Sequence, residues 1–325
     1  MAKLAIISES AVRQIVTRQF AYDAVRSAFE SVATNQSQVF DVVIGTGLND
    51  GEAFAIKSGN DRENQLVGFK CGTYWAGNND RNLPSHGSTI LLFDPETGFP
   101  QVLVNASFLN GYRTAAANAV AVSFLARADA TVMGVIGAGQ QAEQEIRAVA
   151  EVRPLTLIKI STRSEERAVW IADRLQDMDV EIKYTSAEDA VRDSDIVVTV
   201  TPSVSPLVKN EWVGEGTHIS AMGADDVGKH ELDNDILKRA RLFAEYPQQS
   251  VVIGEFQHAY KDGQLGSVED ICALGLVTLG KSPGRNSESE ITVFDSSGIA
   301  SKDLVVAHAI YDAALQAGQV GYVDY

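Results

Sequence analysis

A glycine-rich turn between a predicted strand and a predicted helix carries the clearest chemical signal in the sequence. Val132 to Ile136 is a short apolar run, and Gly137-Ala138-Gly139-Gln140-Gln141-Ala142 follows it without a spacer. In such a G-x-G-x-x-A turn the first glycine allows a tight turn, the second admits a pyrophosphate, and the alanine lets helix and strand pack closely. The helix that follows offers its N-terminal amides to the anion. The alternative is an ordinary glycine turn, but this strand-then-helix setting favours a dinucleotide site.

The second predicted strand, Leu155 to Ile160, lacks the acidic residue that NAD-preferring sites place roughly 20 positions after the glycines. The sequence there is Ser161-Thr162-Arg163-Ser164, so hydroxyl groups and Arg163 could hold a 2'-phosphate. In the alternative interpretation Ser164 only caps the next helix and Arg163 is solvated. We therefore expect Thr162, Arg163 and Ser164 to line the ribose end of the site, with either NAD(H) or NADP(H) as cofactor.

Three cations stand in sequence contexts that point to an anionic ligand. Lys70 lies in the apolar strand Leu66 to Thr73, where some group must neutralise it unless it reaches water at the sheet rim. Lys57 ends another apolar strand and could converge with Lys70 or be structural. Arg113 is predicted at the start of an alanine-rich helix, Thr114 to Ala126, where it and the helix amides would form a carboxylate or phosphate site. The alternative for Arg113 is a surface ion pair.

Two further side chains are candidates for contact with a substrate. Asp225 follows a predicted strand and would lie at the carboxyl edge of a parallel sheet, where open α/β folds bind ligands. It could stabilise a cationic nitrogen, although it and its neighbour Asp226 could equally be loop caps. His86 is a lone histidine that we favour as non-catalytic, although it could touch an acidic substrate.

The elements that must position these residues fall into two patterns. Ser8 to about Ala33 predicts two short helices with a break around Phe20 to Asp23. An antiparallel sheet is then indicated by alternating runs punctuated by Asn49-Asp50-Gly51 and Asp94 to Gly98. The predicted strands are Val39 to Ile44, Glu52 to Lys57, Leu66 to Thr73, Ser88 to Asp94 and Gln101 to Val104.

After the glycine turn, strands and helices alternate as in a doubly wound parallel sheet. The predicted helices are Ser164 to Leu175 and Ser186 to Val191, and the predicted strands are Glu181 to Tyr184, Ile196 to Thr201, His218 to Ala221, Leu242 to Glu245 and Ile291 to Asp295. The last helix, about Ser301 to Ala317, carries an apolar stripe of Leu304, Ala307, His308, Tyr311 and Leu315 and should return to the first domain.

Composition narrows the class of protein. A chain of 325 residues with a formal net charge of −16 suits a globular protein of two domains. Nucleic acid and anionic membranes select basic surfaces, so neither is expected as a partner. Two cysteines give no disulfide framework and no C-x-x-C metal pair, and no metal site is expected. No apolar stretch is long enough for a signal or a membrane span, so we expect a cytoplasmic protein.

Five blocks of sequence together resemble the ornithine cyclodeaminase and mu-crystallin family. They are Arg113 to Ala117, Gly137 to Ala142, Thr199-Val200-Thr201-Pro202-Ser203, Gly223 to Leu232, and Gly284-Arg285. The blocks occur in the family's order and spacing, and the likeness runs nearly from end to end. It is therefore far more specific than the glycine turn alone.

The resemblance implies an α/β architecture with a Rossmann-type dinucleotide domain, here residues 116–299. It also implies an α+β N-terminal domain for substrate binding and homodimer formation, residues 1–115, completed by the C-terminal helix within 300–325. Family members act on amino acids or their imines through a bound nicotinamide. By the family's motifs, Lys70 and Arg113 match substrate-carboxylate positions and Asp225 matches the active-site aspartate. We expect cofactor contacts also from Arg113, Thr114, Thr201, Pro202, Gly223 and Asp225.

Two departures from the family pattern bear on the substrate. The family's usual arginine before the N-terminal hairpin has no counterpart in Gln38 to Val43, and Lys57 stands where cyclodeaminases carry a catalytic glutamate. A cation in place of an acid favours a substrate with an extra carboxylate. The sequence thus predicts an NAD(P)H-dependent imine reductase that converts iminosuccinate to L-aspartate. The alternatives are a cyclodeaminase-type lyase, an alanine dehydrogenase or ketimine reductase, and a non-catalytic NADPH-binding protein like the crystallins.

Overall fold

The computed structural model describes residues 3–325, and the chain divides into two compact units. The first runs from the start of the described chain to Arg113 and includes Ile299–Tyr325, whereas the second is Thr114–Gly298.

The strands and helices are as follows in chain order. The strands are β1 (Lys3–Ile7), β2 (Ser37–Val39), β3 (Val43–Thr46), β4 (Glu52–Asp61), β5 (Leu66–Trp75), β6 (His86–Phe93), β7 (Pro100–Asn105), β8 (Val132–Ile136), β9 (Leu157–Ser161), β10 (Glu181–Tyr184), β11 (Ile196–Thr199), β12 (Val204–Val208), β13 (His218–Ala221), β14 (His230–Leu232), β15 (Arg241–Ala244), β16 (Cys272–Ala273), β17 (Thr292–Asp295) and β18 (Gly321–Asp324). The helices are α1 (Glu9–Ile15), α2 (Arg18–Ala33), α3 (Ser107–Leu125), α4 (Gln140–Val152), α5 (Glu165–Leu175), α6 (Ala187–Val191), α7 (Asn234–Leu237), α8 (Pro247–Ile253), α9 (Gln257–Lys261), α10 (Leu274–Thr278) and α11 (Ala300–Gln316).

The first unit is built on a sheet in the order β18-β1-β7-β6-β5-β4-β2, with β3 paired to β4. All pairs are antiparallel except β1 with β7, so the predicted antiparallel sheet is confirmed for the hairpin strands. Both predicted hairpin turns are present. Gly51, between β3 and β4, has φ of 79°, a conformation that favours glycine. Asp94 Oδ1 accepts hydrogen bonds from the amides of Glu96 and Thr97 between β6 and β7.

Three predictions for the first unit need correction. The break between the first two helices is not at Phe20 to Asp23, which lie inside α2. It falls at Val16 and Thr17, because the Thr17 hydroxyl accepts a hydrogen bond from the Phe20 amide and caps α2. The run Val39 to Ile44 is not one strand, since β2 ends at Val39 and β3 begins at Val43. Strands β1 and β18 were not predicted.

Helices cover one face of this sheet, and the side chains buried between the helices and the sheet form the core of the unit. Buried alternate residues on neighbouring strands, such as Ile90 and Leu92 on β6 and Val102 and Val104 on β7, face the same side. Helix α11 packs against β4, β5 and β6, and α2 packs against α11. The predicted stripe of α11 is only partly correct: Ala300 to Ala307 is buried on every side, whereas Leu315 is exposed.

The second unit contains the parallel sheet β10-β9-β8-β11-β13-β17-β15-β16, and every pair in it is parallel. The doubly wound fold is therefore confirmed. The strand order reverses between β8 and β11, and this switch point is where such sheets bind ligands. Ser186 caps α6 by accepting a hydrogen bond from the Asp189 amide. The short pair β12 and β14 and the edge strand β16 were not predicted.

Two arginines of the second unit stabilise chain segments rather than forming a site. Arg153 donates to the carbonyls of Val122, Ser123 and Ala126 and so satisfies the C-terminal end of α3. Arg285 donates to the carbonyls of Leu125, Gly216, Ser287, Glu288 and Glu290. The Gly284-Arg285 block of the family pattern thus has a structural explanation in this chain.

Candidate nucleotide and carboxylate sites

The glycine turn lies at the switch point of the second sheet, between β8 and α4. Gly137 has φ of 125°, and a Cβ there would lie 2.7 Å from the Val200 carbonyl oxygen. This position therefore requires glycine whether or not a ligand is present. Ala142 is fully buried in the first turn of α4, as close packing of helix and strand requires.

Gly139 provides a test of whether a dinucleotide fits this turn. Its φ of −92° and ψ of −177° are open to any residue, and a Cβ there would meet no protein atom within 4 Å. The fold therefore does not require glycine at 139, whereas a ligand lying against the backbone would. Gly139 is also the N-cap of α4 and has no side chain to occupy the first amides. The turn fits a pyrophosphate held by helix amides.

The loop after β9 holds the residues predicted at the ribose end of the cofactor. Ser164 caps α5 by accepting a hydrogen bond from the Arg167 amide, and Thr162 Oγ1 accepts one from the Ser164 amide. Arg163 is exposed. The helix-capping interpretation of Ser164 is confirmed. This cap does not test the predicted contact of Arg163 with a 2'-phosphate, because the cap involves another side chain.

The turns after β11 and β13 are fixed by one buried acid, Glu231, that no local sequence pattern indicates. The Glu231 carboxylate accepts hydrogen bonds from the Thr201 amide at 2.7 Å, the Thr201 hydroxyl at 2.8 Å, the Gly223 amide at 2.9 Å and the Thr199 hydroxyl at 2.8 Å. A Cβ on Gly223 would lie 2.2 Å from the Thr201 carbonyl oxygen, so the two turns are in close contact. Thr201 and Gly223, both predicted cofactor residues, are thereby held together, and Pro202 beside them is exposed.

Glu231 is the last of three buried carboxylates that are connected in series through backbone amides. Asp295 Oδ1 accepts a hydrogen bond from the Glu255 amide, and the Glu255 carboxylate accepts from the amides of Glu231 and Leu232. Burial raises the pKa of Glu231, although its hydrogen bonds with Thr201 and Thr199 lower it in part. Burial and the nearby Glu231 charge raise the pKa of Glu255 well above its usual range. Burial raises the pKa of Asp295 to about 7.

In the first unit, the sheet register brings two of the predicted cations together. Lys57 on β4 and Lys70 on β5 are direct cross-strand partners, and Ile90 on β6 is the next partner of Lys70. Directly paired residues share a face, so both lysines are on the face that α11 covers. Lys70 is 6% exposed, which excludes the interpretation of a lysine solvated at the sheet rim. Lys57 is half-buried.

The group that neutralises Lys70 is Asp303, in the first turn of α11. Its Oδ2 lies 3.3 Å from Lys70 Nζ, and its Oδ1 lies 2.7 Å from Arg113 Nε. Burial and the Arg113 charge lower the pKa of Lys70 to about 7, against the opposing effect of Asp303. Burial alone would raise the pKa of Asp303, but Arg113, Lys70, Lys302 and Lys57 lower it below its usual value. One buried carboxylate is thus surrounded by cations, and a second carboxylate would be stabilised there.

The structure corrects the predicted setting of Arg113. Helix α3 begins at Ser107, so Arg113 lies in its second turn rather than at its start. The predicted position of Arg113 at the helix start is therefore wrong. Arg113 instead pairs with Asp303 and donates from Nη2 to Asn110 Oδ1 at 2.7 Å. Thr114, the next residue of α3, is half-buried.

Asp225 and His86 lie in more open settings. Asp225 follows β13 at the carboxyl edge of the parallel sheet, as predicted, and its Oδ1 lies 2.5 Å from Lys229 Nζ. Its side chain is 51% exposed, so this ion pair is accessible to a competing cation. His86 begins β6, and its ring contacts that of Tyr74 at a tilt of 47°, with 4.8 Å between centroids. Burial lowers the pKa of His86.

Among residues 3–325, no group of three or more potential ligand side chains could hold a metal ion.

Together, the doubly wound sheet, the glycine turn at its switch point and the open position at Gly139 define a dinucleotide-binding type of protein. The family model of the ornithine cyclodeaminase/mu-crystallin family matches residues 5–318. The chain belongs to this family.

Relatives of known name agree with that assignment. The chain is 35% identical to an iminosuccinate reductase of Paracoccus denitrificans over 98% of this chain and 99% of that protein. It is 36% identical to an alanine dehydrogenase of Archaeoglobus fulgidus over 95% of each chain. The solved structure of the Paracoccus iminosuccinate reductase in complex with NAD+ has a TM-score of 0.91, with 99% of this chain and 100% of that chain covered.

A third relative extends the range of solved complexes. A Thermococcus litoralis Delta(1)-pyrroline-2-carboxylate reductase, solved with NADH and L-proline, is 28% identical, with a TM-score of 0.90 over 98% of this chain and 99% of that chain. In the described part of the chain, no helix has the length and apolar character needed to cross a membrane.

Proposed function

We propose that this protein is an NAD(P)H-dependent imine reductase that converts small imino acids to L-amino acids, with iminosuccinate to L-aspartate as its preferred reaction. The cluster of Lys57, Lys70 and Arg113 around the single carboxylate of Asp303 is the observation that supports this proposal most directly. A dicarboxylate substrate needs about two cationic anchors, and charge-assisted hydrogen bonds to carboxylates are the stronger kind. The likeness to an iminosuccinate reductase supports the same substrate.

Each residue has a defined part in the proposed reaction. Lys70 and Arg113 hold the carboxylate next to the imine carbon, and Lys57 holds the distal carboxylate. Asp225 stabilises the protonated imine nitrogen, which makes the imine carbon more electrophilic. For this, Asp225 exchanges its ion pair with Lys229 for the substrate cation. The reduced nicotinamide supplies the hydride. The turns held by Glu231 and the amides at Gly139 orient the cofactor.

Alanine dehydrogenase activity is the second candidate, because a relative with that name is 36% identical over 95% of the chain. The imine of pyruvate has one carboxylate, which Lys70 and Arg113 could hold without Lys57. A cyclodeaminase reaction is less favoured, since Lys57 stands where those enzymes carry a glutamate. A crystallin-like protein would bind NADPH without turnover.

One spectrophotometric screen tests these functions against one another. Oxidation of NADH and NADPH is followed with oxaloacetate, pyruvate and glyoxylate, each with ammonia or methylamine. We expect the highest kcat/KM with oxaloacetate and ammonia. A preference for pyruvate would point to alanine formation, and ammonia release from ornithine without net cofactor consumption would point to a lyase. Cofactor binding without any turnover would contradict an enzymatic function.

We also propose that the protein is a cytoplasmic homodimer. Exposed apolar side chains occur together on and beside β3, at Phe40, Val43, Ile44 and Leu48, and the last of these is 99% exposed. Clustered exposed apolar residues at the edge of a sheet are typical of contact surfaces. A related archaeal alanine dehydrogenase has been solved as a dimer with NAD bound. The two cysteines, Cys71 and Cys272, form no disulfide, which suits a reducing compartment.

A further inference from the structure

We propose that Asp303 is a positioning residue that bridges Lys70 and Arg113 and keeps Lys70 charged, so that it sets the pH range in which the enzyme binds a carboxylate substrate. This inference rests on the proposed function, because it assigns the two cations to the substrate carboxylate. Asp303 would act through these cations and need not touch the substrate.

The geometry gives each cation its own oxygen of Asp303. Oδ1 is 2.7 Å from Arg113 Nε and Oδ2 is 3.3 Å from Lys70 Nζ, with the Asp303 side chain 1% exposed. The carboxylate therefore bridges two groups that would otherwise repel each other. It lies in the first turn of α11, where the helix dipole also stabilises an anion.

Charged groups from four elements surround this bridge. Lys57 comes from β4, Lys70 from β5, Arg113 from α3, and Lys302 and Asp303 from α11. Arg113 and Lys57 lower the pKa of Lys70, and Asp303 is the group that raises it. Replacing Asp303 by a neutral residue leaves burial and two cations to act on Lys70, so its pKa should fall below about 7.

The direction of the pH effect follows from the charge of Lys70. The lysine is cationic below its pKa and neutral above it, and a neutral amine makes a weaker contact with a carboxylate. In the free wild-type enzyme, kcat/KM for an imino acid should therefore decline as the pH rises through about 7. In Asp303→Asn the same decline should begin at lower pH. At pH values where Lys70 is charged in both proteins, the difference between their kcat/KM values should be smallest.

The first experiment compares kcat/KM for NADH-dependent reduction of oxaloacetate with ammonia, and of pyruvate with ammonia, across the pH range. The ratio of Asp303→Asn to wild type at each pH cancels the titration of the substrate itself. We expect the ratio to fall by at least about tenfold from the acid to the alkaline end, which corresponds to a shift of about one pH unit. Asp312→Asn is the matched control, because it removes an exposed carboxylate from the same helix. A ratio that is low but independent of pH would mean that Asp303 is merely structural and would overturn the proposal.

The second experiment needs no turnover and separates this proposal from the proposed function. In protein labelled with 13C-lysine, the Lys70 Cε resonance is assigned with Lys70→Met and titrated in wild type and Asp303→Asn. The Lys70 pKa should be lower in the variant by about one unit or more, and NADH affinity, measured by fluorescence, should be unchanged. An unaltered Lys70 pKa overturns the role of Asp303. If the wild-type protein reduces no imine, but the Lys70 pKa is still lower in Asp303→Asn than in wild type, the proposed function is overturned and the role of Asp303 stands.

A charge-retaining variant keeps the proposal testable if Asp303→Asn fails to fold. Asp303→Glu should keep the Lys70 pKa close to that of wild type, whereas the longer side chain displaces the two cations and raises KM at every pH. In the wild type, the Asp303 carboxyl carbon should titrate below its usual pKa of 3.8. Titration at or above that value would show that the bridge does not form and would also overturn the proposal.

Discussion

Lys57 and Lys70 are neighbours in the sheet, yet their environments give them different expected roles. Lys70 is buried and paired with Asp303, whereas Lys57 is half-buried at the directly opposite position. A half-buried lysine can move toward a ligand at lower cost than a buried one, because less desolvated charge is disturbed. We therefore assign Lys57 to the part of the substrate that differs between imino acids.

The variant Lys57→Met tests this assignment. Removal of a charge-assisted contact costs on the order of 1.5 to 3 kcal/mol, or about 10- to 150-fold in kcat/KM. We expect at least about a tenfold loss with oxaloacetate and ammonia and a much smaller change with pyruvate and ammonia. The control variants Lys70→Met and Arg113→Met should reduce both reactions. An unchanged ratio of the two substrates in Lys57→Met would make Lys57 structural.

The two turn glycines should respond in opposite ways to substitution by alanine. Gly139→Ala places a methyl group in open space with an allowed backbone, so the Tm should change by no more than about 2 °C while NADH affinity falls by at least about tenfold. Gly137→Ala forces a Cβ against the Val200 carbonyl at φ of 125°, which costs about 1 to 3 kcal/mol and should lower the Tm by several degrees. Calorimetry and fluorescence titration measure the two effects. Normal NADH affinity in Gly139→Ala would place the pyrophosphate elsewhere.

The sequence could indicate Lys70 but not its partner. A lysine in an apolar strand requires a neutralising group for reasons that are purely local. The group that satisfies it, Asp303, lies in the last helix, and only the three-dimensional packing of α11 on β5 brings the two together. Glu231 was overlooked for the same reason, since it accepts hydrogen bonds from turns that follow two other strands. An acid inside an apolar run, such as Asp303 before Leu304 to Ala307, is the signal that could have been used.

At the scale of single elements, we expect the loop after β9 to determine the choice of cofactor. It offers Thr162 and Arg163 and no carboxylate that would repel a 2'-phosphate. NADPH should therefore bind no more than about a hundredfold more weakly than NADH, a gap of roughly 2.7 kcal/mol. Arg163→Ala should weaken NADPH binding and leave NADH binding unchanged, because only NADPH carries that phosphate. Parallel titrations that show a larger gap, or equal losses for both cofactors, would contradict this role.

The series of buried carboxylates Asp295, Glu255 and Glu231 makes the stability of the second unit depend on pH. The pKa of Asp295 is about 7 in the folded protein and 3.8 in its reference state, so its contribution is fully present below pH 3.8 and is lost as the pH rises to about 7. Asp295→Asn removes this dependence. We expect the Tm of the variant, relative to wild type, to rise between about pH 4 and pH 8.

Calorimetry at a series of pH values measures this difference. The exposed acid Asp179 of the same unit provides the control, Asp179→Asn, which should follow wild type at every pH. A constant offset between Asp295→Asn and wild type would mean that Asp295 does not titrate in this range.

Elements with strong local signals were predicted well, and those that depend on distant partners were not. Strands β10 and β13 have the predicted bounds because short apolar or alternating runs are bounded there by turn residues. Helix α3 begins earlier than predicted, because Asn110 and Gly111 weaken the helical pattern and packing in the fold overrides that weak preference. Strands β1 and β18 pair with each other from opposite ends of the chain, a pairing that no local pattern contains.

At the scale of the whole molecule, the net charge of the chain is negative, whereas the charges grouped around Asp303 are positive. The chain carries a formal charge of −16, yet Lys57, Lys70 and Arg113 act together on one buried carboxylate. An anionic substrate would be repelled at long range and bound only at these cations, so its association should accelerate as salt screens the repulsion. The acidic surface leaves the apolar group at Phe40, Val43, Ile44 and Leu48 as the feature most suited to contact with a second copy.

The proposed homodimer gives that apolar group a definite consequence. Light scattering at about micromolar concentration should yield twice the 34.9 kDa chain mass. In Ile44→Asp, a charge replaces a 58% exposed apolar side chain, and the cost of burying it should shift the protein toward monomer while NADH binding in the second unit persists. Val204→Asp is the matched control, since Val204 is 72% exposed but lies in the second unit, and it should remain dimeric. A fully active wild-type monomer, or equal dissociation of both variants, would rule out this surface.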